Sequence, residues 1–510
     1  MCRIVFMLIG VWILQPLTGP HIQALNVSQR LLTAALLHHL HCNDTHLPLT
    51  LHPKQRCRMA EGRNESRGGG GGGGGCGRRV LFWGAAAAAA VAGGVQVAFW
   101  RRVDLPAHLL HHPLEYHEDL LDAGTAAELM ALAKDMADFP TVVNDLQFYR
   151  TRAEHVGEAQ PIGADGRCAH PFLVPSVNKT ACVLPGRVDV GRAYVAAGGV
   201  EGLKEAYPTL VSRVQSFSRY MFNISEYPLA TRLFSAPSFQ AAATAVCPPH
   251  ARVLDPFQFN LISQAPGQTV ATHIDAPYFW GFDRFDAPQW LLAVMVFSGL
   301  FQDAFVPQVQ VVAYFHTWRD DAGARGGSFV YWDDNNPLPK SVQPHPRSGS
   351  AVDGSKTVHA ATVFMPHVAP PLLDKSRRHV LHYEGHNKWV LLSDGVPAAH
   401  YTDGDLRFSI VYRARCFASE EVRAAYHAIP EADRMTVPGV LAKLRADLVA
   451  RGRLAADANL PPLDFALLLM NEYVKYPLPP NAWLPLNYCA LPLQYPAIGK
   501  VYAALGICQG

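Results

Sequence analysis

The sequence predicts an α+β protein whose core is a jelly roll or barrel of short strands, with flanking helices and one transmembrane helix ahead of them. Eight or nine short β-type runs, separated by Gly, Pro and Asp turns, lie within residues 256–416, which is typical of closed or two-sheet β cores. Amphipathic helical patterns stand on both sides of these runs. The apolar stretch 80–100 contains one polar residue, Gln96, and has the length that a helix needs to cross a bilayer.

Composition is that of an ordinary globular enzyme with a membrane segment. The 510 residues leave room for two or three domains and a sizeable core. Hydrophobic residues make up 49% of the chain and charged residues 17%, and the formal net charge is +2. Because nucleic-acid-binding domains carry a strongly basic patch, this balance predicts no nucleic-acid partner.

Changes in composition divide the chain into six segments. Arg3 followed by the apolar run Ile4–Leu14 has the shape of a secretory signal. The run Gly68–Gly75 closes a His- and Arg-rich stretch, which predicts a disordered linker. The predicted segments are 1–20 (signal-like or short anchor), 21–79 (linker), 80–100 (transmembrane helix), 101–255 (helical N-terminal support region), 256–416 (β core) and 417–510 (helical C-terminal extension).

The favoured interpretation of residues 80–100 is a single-pass membrane anchor with aromatic residues near both ends. A buried or disordered Ala/Gly tract is the alternative, because Ala and Gly are weakly hydrophobic. Arginines before the stretch outnumber those after it, which by the positive-inside rule places the C-terminal side in the lumen of the endoplasmic reticulum or Golgi. A cleaved signal at residues 1–20 would reverse this orientation, whereas a translation start at Met59 would strengthen it.

Helix and strand bounds follow from the patterns. A capping box at Thr125 and Glu128 predicts the start of one amphipathic helix. An apolar stripe predicts a second helix at Thr209–Met221, and Thr436 predicts the start of a third at Pro438–Arg451. The predicted strands are Phe257–Ile262, Gln268–His273, Trp290–Ser298, Val309–Phe315, Ser328–Trp332, Thr357–Phe364, Arg378–Tyr383, Lys388–Leu392 and Arg407–Arg413.

The ten cysteines include no CxxC pair or other zinc spacing, so a structural zinc site is not expected. Cys168 and Cys182 lie 14 residues apart in a loop-rich stretch. They would form a disulfide in a lumenal segment, and buried free thiols are an equally good interpretation.

A Pro-Gly turn at Pro266-Gly267 leads into a short strand that ends in His273-Ile274-Asp275. Since successive side chains on a strand point to opposite faces, His273 and Asp275 leave on the same side and can bind one metal ion. One imidazole and one carboxylate are two members of a 2-His-1-carboxylate triad, which leaves three positions open on Fe(II). The spacing alone is weak, because 23 histidines produce His-x-Asp by chance and His117-Glu118-Asp119 repeats it.

Three later features complete the pattern in order. They are the glycine turn and strand Gly326–Trp332, the Asp-Gly turn and strand Asp353–Ala360 with His359, and Arg407-Phe408-Ser409 at the start of the last strand. With PGQTVATHIDAP, these features resemble the iron(II)- and 2-oxoglutarate-dependent dioxygenases over roughly residues 255–415. The resemblance implies a double-stranded β-helix core.

The resemblance also implies a site. His273, Asp275 and His359 would hold Fe(II), and Arg407 with Ser409 would bind the distal carboxylate of 2-oxoglutarate. Dioxygen would be the other co-substrate, ascorbate is a candidate auxiliary reductant, and the reaction would hydroxylate an unknown substrate with release of succinate and CO2. A guanidinium suits the carboxylate because its planar fork is permanently charged.

One spacing departs from the family pattern. Arg407 follows His359 by 48 residues, whereas many members place the arginine about a dozen residues after the histidine, and an inserted hairpin at roughly 374–405 would explain the difference. His400 competes with His359 as third ligand because it precedes Arg407 by only seven residues. His359 is preferred because it lies in an alternating strand after an Asp-Gly turn. The other competing histidines are His379, His382 and His386.

Other functional classes remain open at this point. A catalytically inactive jelly-roll binding module would keep the same fold, and a zinc hydrolase is disfavoured because no HExxH helix supplies a general base. An aromatic cluster after the ligands is equally compatible with a substrate mouth and with core packing. Its members are Tyr278, Phe279, Trp280, Phe282, Phe285 and Trp290.

Overall fold

The computed structural model describes residues 104–141, 205–318, 325–336, 338–374, 377–477 and 501–502, together with residues 156–196 interrupted by short gaps. The predicted signal-like segment, linker and transmembrane helix at 1–20, 21–79 and 80–100 lie outside these residues. Within the described part of the chain, no helix combines the length and apolar character that crossing a membrane requires. All of the described residues belong to one compact unit.

The described α-helices are α1 (Ala123–Met136), α2 (Val188–Ala196), α3 (Tyr207–Arg213), α4 (Pro228–Ser235), α5 (Pro237–Val246), α6 (Gln289–Ser298), α7 (Glu420–His427), α8 (Val437–Ala450) and α9 (Pro462–Tyr473). The described strands are β1 (Leu114–His117), β2 (Asp138–Pro140), β3 (Gln160–Pro161), β4 (Val174–Pro175), β5 (Ala181–Val183), β6 (Phe217–Met221), β7 (Val253–Gln264), β8 (Val270–His273), β9 (Tyr278–Phe279), β10 (Phe305–Val306), β11 (Gln308–Tyr314), β12 (Phe329–Trp332), β13 (Lys340–Val342), β14 (Gly349–Val352), β15 (Val358–Ala361), β16 (His379–Gly385), β17 (Lys388–Ser393), β18 (Val396–Tyr401) and β19 (Arg407–Phe417). Single 3-10 turns lie at Ala107–Leu109, Ile224–Glu226, Gln302–Ala304 and Glu431–Asp433.

The first wall of the core is a six-stranded antiparallel sheet with the order β1-β14-β11-β19-β7-β6. Its central strand β19 pairs with β7 on one side and with β11 on the other. Because side chains alternate along a strand, one face of β19 supplies Phe408, Ile410 and Tyr412 to the main apolar cluster. The opposite face of the same strand is polar and carries Arg407 and Arg413.

The second wall is a four-stranded sheet with the order β13-β12-β15-β8. In it, β15 pairs antiparallel with both β12 and β8. Side chains from β8 and β15 line the same cavity as side chains from β7, β11 and β19. The protein is therefore a mixed α/β molecule built around a jelly roll, with the cavity between the two sheets.

The predicted strand at Trp290–Ser298 is wrong, because these residues belong to helix α6. A continuous apolar run has no periodicity that separates a buried strand from a buried helix. The bounding residues decide the matter: Pro288 occupies the N-cap, and Gly299 ends the helix in the left-handed conformation with φ 70°. Every residue from Gln289 to Phe297 is buried, which explains the absence of a polar face.

The region between His359 and the last strand contains an insertion with its own sheet. Strands β16, β17 and β18 form an antiparallel meander, and β2 from the N-terminal region pairs with β16. The predicted hairpin at 374–405 is thus a three-stranded unit. It returns the chain to Arg407 without interrupting the pairing of β19 with its neighbours.

The N-terminal region is less helical than predicted. The helix expected at Thr209–Met221 ends at Arg213, and Phe217–Met221 is strand β6 at the edge of the six-stranded sheet. Strand β1 is the edge strand on the opposite side of that sheet, so this region supplies both edge strands. Helix α1 forms as predicted, but Asp122 caps it by accepting from the Thr125 backbone N–H, and Thr125 lies inside the helix.

Two disulfides join described residues. Cys168 and Cys182 are bonded with a Cα–Cα distance of 5.7 Å, one of the two outcomes that the sequence left open. Cys247, which follows α5, is bonded to Cys416 of β19. The helix predicted after Thr436 is α8, which Thr436 caps, and it packs with α6 and α9 in a second apolar cluster.

Candidate metal centre

The structure brings His273, Asp275 and His359 together. His273 ends β8 and is the direct cross-strand partner of His359 on β15, so the two imidazoles lie side by side with ring centroids 4.3 Å apart. Asp275 follows β8, and its backbone N–H donates to the Gly354 carbonyl at 2.8 Å. One potential ligand atom from each residue lies within 4.8 Å of the others, and among the described residues this is the one such cluster.

Backbone contacts fix the direction of both imidazoles. His273 Nδ1 lies 2.8 Å from the Ala271 carbonyl, and His359 Nδ1 lies 2.8 Å from the Thr357 carbonyl. Since a carbonyl oxygen only accepts, each Nδ1 carries the proton and each Nε2 keeps its lone pair. His273 Nε2 is 3.7 Å and His359 Nε2 is 3.9 Å from the Asp275 carboxylate oxygens, so the unprotonated nitrogens face the carboxylate.

The electrostatic environment favours the protonation states that a metal requires. Burial lowers the pKa of His359 to about 4, with a further contribution from His273 that outweighs the opposing effect of Asp275. Burial raises the pKa of the Asp275 carboxyl, but Arg413 and the two imidazoles lower it more, so it lies well below its usual range. At neutral pH the cluster therefore offers a neutral His359 imidazole and an ionised carboxylate.

Gly354 makes room for the carboxylate. A Cβ added there would lie 2.3 Å from Asp275 Oδ2 and 3.0 Å from Gln310 Nε2. Asp275 Oδ2 is itself buried without a hydrogen-bond partner among the described residues. An anionic oxygen held in this way fits a cation, because an unpaired buried charge is otherwise costly. The donor set of two imidazoles and one carboxylate fits Fe(II).

Arg407 lies at the start of β19 and is 4% exposed. Its guanidinium donates to Gln264 and, at 3.1 Å, to the Tyr314 hydroxyl, and it lies over the Tyr314 ring. Gly327 (φ 72°) packs against its stem, since a Cβ there would lie 3.0 Å from Arg407 Cδ. The guanidinium is therefore held rigidly, and its buried Nε lacks a hydrogen-bond partner among the described residues.

Ser409, two residues further along β19, faces the same way as Arg407. Both side chains line a cavity of about 380 Å³, together with His273, Asp275 and His359. The five residues that the sequence singled out thus line one cavity. Strand alternation explains why Arg407 and Ser409 face the cavity together, because the side chains of Arg407, Ser409 and Val411 all leave β19 on the cavity side.

Arg413 is a site residue that the sequence reasoning missed. It is 2% exposed, lines the cavity, and donates to the Ala276 carbonyl at 3.0 Å and to Gln308 at 2.6 Å. These bonds hold the backbone directly after Asp275 and place a positive charge close to that carboxylate. The sequence does show that Arg413 continues the alternating row that begins at Arg407. Arg413 was not singled out because it is the last residue of the predicted strand.

The competing histidines lie elsewhere in the fold. His400 is on β18 and His382 on β16, both in the inserted sheet, where each is a register partner of Val390. His379 also belongs to β16, with Nε2 2.9 Å from the Asp374 carbonyl, and His386 follows the same strand. None of these four lines the cavity or joins the metal-ligand cluster of described residues.

Four of the six aromatic residues after the ligands are core. Tyr278, Phe279, Phe282 and Trp290 are at most 2% exposed, whereas Phe285 is half-buried and Trp280 is 37% exposed. No member of the predicted cluster is among the described residues that line the cavity. Phe279, Phe282 and Trp290 belong to the second apolar cluster, together with Ile274 and Ala276, the two neighbours of Asp275 in the chain.

Comparison with known proteins identifies similar solved structures, but no matching family or curated protein. No protein-family model and no curated protein matches the chain. Similar solved structures include a prolyl-4-hydroxylase from Pseudomonas putida, at 11% identity and TM-score 0.26 over 60% of this chain and 92% of that chain. A second is the non-heme alpha-ketoglutarate-dependent epimerase SnoN from nogalamycin biosynthesis, at 12% identity and TM-score 0.27 over 64% of this chain and 83% of that chain.

A third similar structure is an oxidoreductase of the 2OG-Fe(II) oxygenase family from Burkholderia pseudomallei, at 9% identity and TM-score 0.22 over 39% of this chain and 68% of that chain. The family named for this structure is the one that the sequence motifs resemble.

Proposed function

We propose that this chain is an Fe(II)- and 2-oxoglutarate-dependent oxygenase of the hydroxylase type. The observation that carries the proposal is the set of two imidazole nitrogens and a carboxylate within 4.8 Å of one another, in a cavity that also holds a rigid, buried guanidinium. His273, Asp275 and His359 would hold the metal, and Arg407 with Ser409 would bind the distal carboxylate of 2-oxoglutarate. Fe(II) with 2-oxoglutarate and dioxygen supplies oxidative decarboxylation to succinate and CO2, coupled to C–H hydroxylation.

The chain's own residues would prepare this chemistry. The carbonyls of Ala271 and Thr357 keep both Nε2 atoms unprotonated toward the metal. Arg413 keeps Asp275 ionised and fixes the backbone at Ala276. Arg407, held by Gln264 and Tyr314, orients the co-substrate because its guanidinium is already in place before binding.

The location of the enzyme is a separate part of the proposal. We infer a single-pass membrane protein anchored by residues 80–100, with the catalytic region in the lumen of the endoplasmic reticulum or Golgi. The disulfides Cys168–Cys182 and Cys247–Cys416 support an oxidising compartment. Asn223 begins the sequon Asn223-Ile224-Ser225 and is exposed, so N-glycosylation at Asn223 is expected. An unmodified Asn223 with the domain open to protease in intact microsomes would contradict this location.

The test of the oxygenase proposal is metal content and succinate formation by the full chain with Fe(II), 2-oxoglutarate, dioxygen and ascorbate. His359→Ala is expected to lose iron and turnover, since it removes a ligand. His400→Ala, which changes a histidine of the inserted sheet, is the matched control and is expected to keep both. Absence of bound divalent metal in the unsubstituted chain, or loss of iron in His400→Ala alone, would contradict the proposal.

A further inference from the structure

Helix α2 turns one side toward the cavity, and Gly191 lies at the centre of that side. Between residues 188 and 195, Asp189 and Ala193 are the two that do not line the cavity. These two are four residues apart and therefore share one side of the helix. Gly191 is two residues from each of them, which is about half a turn, so it faces the opposite way and lines the cavity.

The fold itself does not require a glycine at position 191. Glycine is unfavourable inside a helix, where alanine is the most favourable residue. Nothing lies within 4 Å of a Cβ added at Gly191. Four other glycines have similar open space, but each has a positive φ that favours glycine, whereas Gly191 has helical backbone geometry; the four are Gly166, Gly385, Gly395 and Gly452. What Gly191 provides is therefore open space in the cavity.

The N-terminal end of α2 is fixed next to the metal-ligand cluster. Asp189, on the side of the helix away from the cavity, accepts a hydrogen bond from the Tyr476 hydroxyl at 2.8 Å. The same hydroxyl is hydrogen-bonded to the backbone of Ile274, the residue between His273 and Asp275. One tyrosine therefore joins the first turn of the helix to the segment that carries two of the proposed ligands.

The C-terminal end of α2 is fixed further back along strand β8. Tyr194 and Val195 belong to a small apolar cluster with Ala271. Ala271 precedes His273 by two residues and leaves β8 on the same face. The two ends of the helix thus lie near the residues that precede and follow His273, and Gly191, in the middle of the helix, lies beside His273. The open space at Gly191 is therefore next to the metal-ligand cluster.

This part of the lining offers apolar surface. Four of its side chains are apolar and half-buried, so they keep accessible surface in the cavity; they are Phe172, Val190, Val211 and Val214. The two arginines of the same region have partners, because Arg187 pairs with Asp189 at 3.5 Å and Arg192 donates to Asn471 at 2.9 Å. Burying the accessible hydrocarbon surface favours an apolar occupant.

We propose that Gly191 determines substrate specificity by leaving space beside His273 for an apolar group, which carries the C–H bond that is hydroxylated. The inference rests on the proposed oxygenase function, since it places this group next to the metal-ligand cluster. A cavity of about 380 Å³ is within the usual range for small-molecule sites. Long side chains on a helix lean toward its N-terminus, so a leucine at position 191 would extend toward the end of α2 that lies near Ile274 and would occupy this space.

The test measures how closely small probes approach the metal in the full chain, loaded with Mn(II) and saturated with N-oxalylglycine, a 2-oxoglutarate analogue that is not decarboxylated. Bound Mn(II) accelerates the NMR relaxation of protons near it, an effect that falls steeply with distance, and the chain loaded with Zn(II) gives the background. The probes are 1-butanol, which is mainly apolar, and erythritol, which has the same number of carbons with a hydroxyl on each. Strong enhancement is expected for the methyl protons of 1-butanol and little for erythritol.

Variants locate the probe. Gly191→Ala is expected to reduce the enhancement for 1-butanol about tenfold, since one methylene in an apolar site changes affinity by at least that factor, and Gly191→Leu is expected to abolish it. Both variants should still bind Mn(II) and N-oxalylglycine. Ala193→Leu adds the same bulk to the opposite side of the helix and should leave the enhancement unchanged. Melting temperatures check folding: Gly191→Ala should raise the melting temperature and Ala193→Gly should lower it, because alanine is the better helix former.

The outcomes separate this inference from the oxygenase proposal. Failure of the unsubstituted chain to bind Mn(II) or N-oxalylglycine contradicts the proposed function and the inference with it. If both bind, the role of Gly191 alone is overturned by equal enhancement for the two probes, by no enhancement for either, or by equal enhancement for 1-butanol in Gly191→Leu and Ala193→Leu. Loss of N-oxalylglycine binding in Gly191→Ala would assign the space to the co-substrate and would overturn the inference as well.

Discussion

Two parts of the cavity lining differ in how they are held. The sheet wall, formed by β7, β11 and β19, is fixed by continuous backbone ladders, and its inward side chains follow strict alternation. The cover wall, formed by residues 172–195, contains the two-residue strand β4, the short strand β5 and helix α2. Its supports are the disulfide Cys168–Cys182 and single contacts such as the Trp290 N–H to the Gly186 carbonyl at 2.8 Å.

Because they are held differently, the sheet wall and the cover wall are suited to different roles. Catalytic and cofactor groups need positions fixed to a fraction of an ångström, which a ladder provides. The cover wall supplies Arg187, Arg192 and Phe172, which are held by side-chain contacts, for example Arg192 to Asn471 of α9 at 2.9 Å. We therefore expect substitutions on the sheet wall and near the metal-ligand cluster to affect iron and 2-oxoglutarate, and changes in the cover wall to affect the substrate alone.

The largest effect is expected for Gly354→Ala. Its Cβ would lie 2.3 Å from Asp275 Oδ2, a separation that requires the carboxylate to move out of the metal-ligand cluster. Displacement of one ligand in three is expected to remove iron and turnover together. Metal content of the purified variant tests this, with Gly404→Ala as control, because a Cβ there meets nothing closer than 3.7 Å. Normal iron in Gly354→Ala would show that Asp275 is not confined as described.

A smaller and more selective effect is expected for Arg407→Gln. Loss of a buried guanidinium that binds a carboxylate should raise the KM for 2-oxoglutarate by about 100-fold. Iron content should remain normal, since Arg407 contacts Gln264 and Tyr314 rather than the ligands. Arg219→Gln, on the exposed side of β6, should leave the KM unchanged. Equal loss of iron and of 2-oxoglutarate affinity would contradict the separation of metal binding near β8 and β15 from co-substrate binding on β19.

The strands that carry the site residues are also the part that the sequence could predict. Alternation placed His273 with Asp275 and Arg407 with Ser409, because a period of two is visible in a strand of four or more residues. The pairing of His273 with His359 was not visible, since it depends on a register between strands 86 residues apart. The resemblance implied His359 as the third ligand, and its position in an alternating strand after an Asp-Gly turn favoured it over His400.

The cover wall gave no comparable signal. Its strands are two or three residues long, too short for a period to emerge, and Cys168–Cys182 had an equally good alternative as free thiols. The helix α6 was mistaken for a strand because burial on all sides removes the polar face that defines a period. Where tertiary burial rather than local pattern sets the structure, a single sequence does not reveal it.

The two disulfides allow the cover wall and the sheet wall to be tested separately, because Cys182 lies in the cover wall and Cys416 lies on β19. By the chain-entropy relation, a bridge spanning 14 residues contributes about 3 kcal/mol and one spanning 169 residues about 5 kcal/mol to the free energy of unfolding. Cys182→Ser is therefore expected to lower the melting temperature less than Cys247→Ser. Its specific effect should be weaker substrate binding with unchanged KM for 2-oxoglutarate in uncoupled turnover. A raised KM for 2-oxoglutarate in Cys182→Ser would show that the cover wall also holds the co-substrate.

The smallest effect is expected for Ser409→Ala, which has an unusually close control. Ser409 and Ser263 are both at most 3% exposed and lie on neighbouring, paired strands, where Ser409 is the partner of Ile262 and Ser263 that of Phe408. Ser409 lines the cavity, whereas Ser263 is absent from the described lining and points to the opposite face.

Each substitution removes one buried hydroxyl from the same pair of strands, so their effects on folding should be similar. Only Ser409→Ala removes a donor to the distal carboxylate of 2-oxoglutarate, worth about 1 kcal/mol, which raises the KM about fivefold. Steady-state succinate formation at varied 2-oxoglutarate, compared between Ser409→Ala and Ser263→Ala, isolates this contribution. If both variants show the same KM, the hydroxyl of Ser409 does not bind the co-substrate, and the face of β19 toward the cavity holds 2-oxoglutarate through Arg407 and Tyr314 alone.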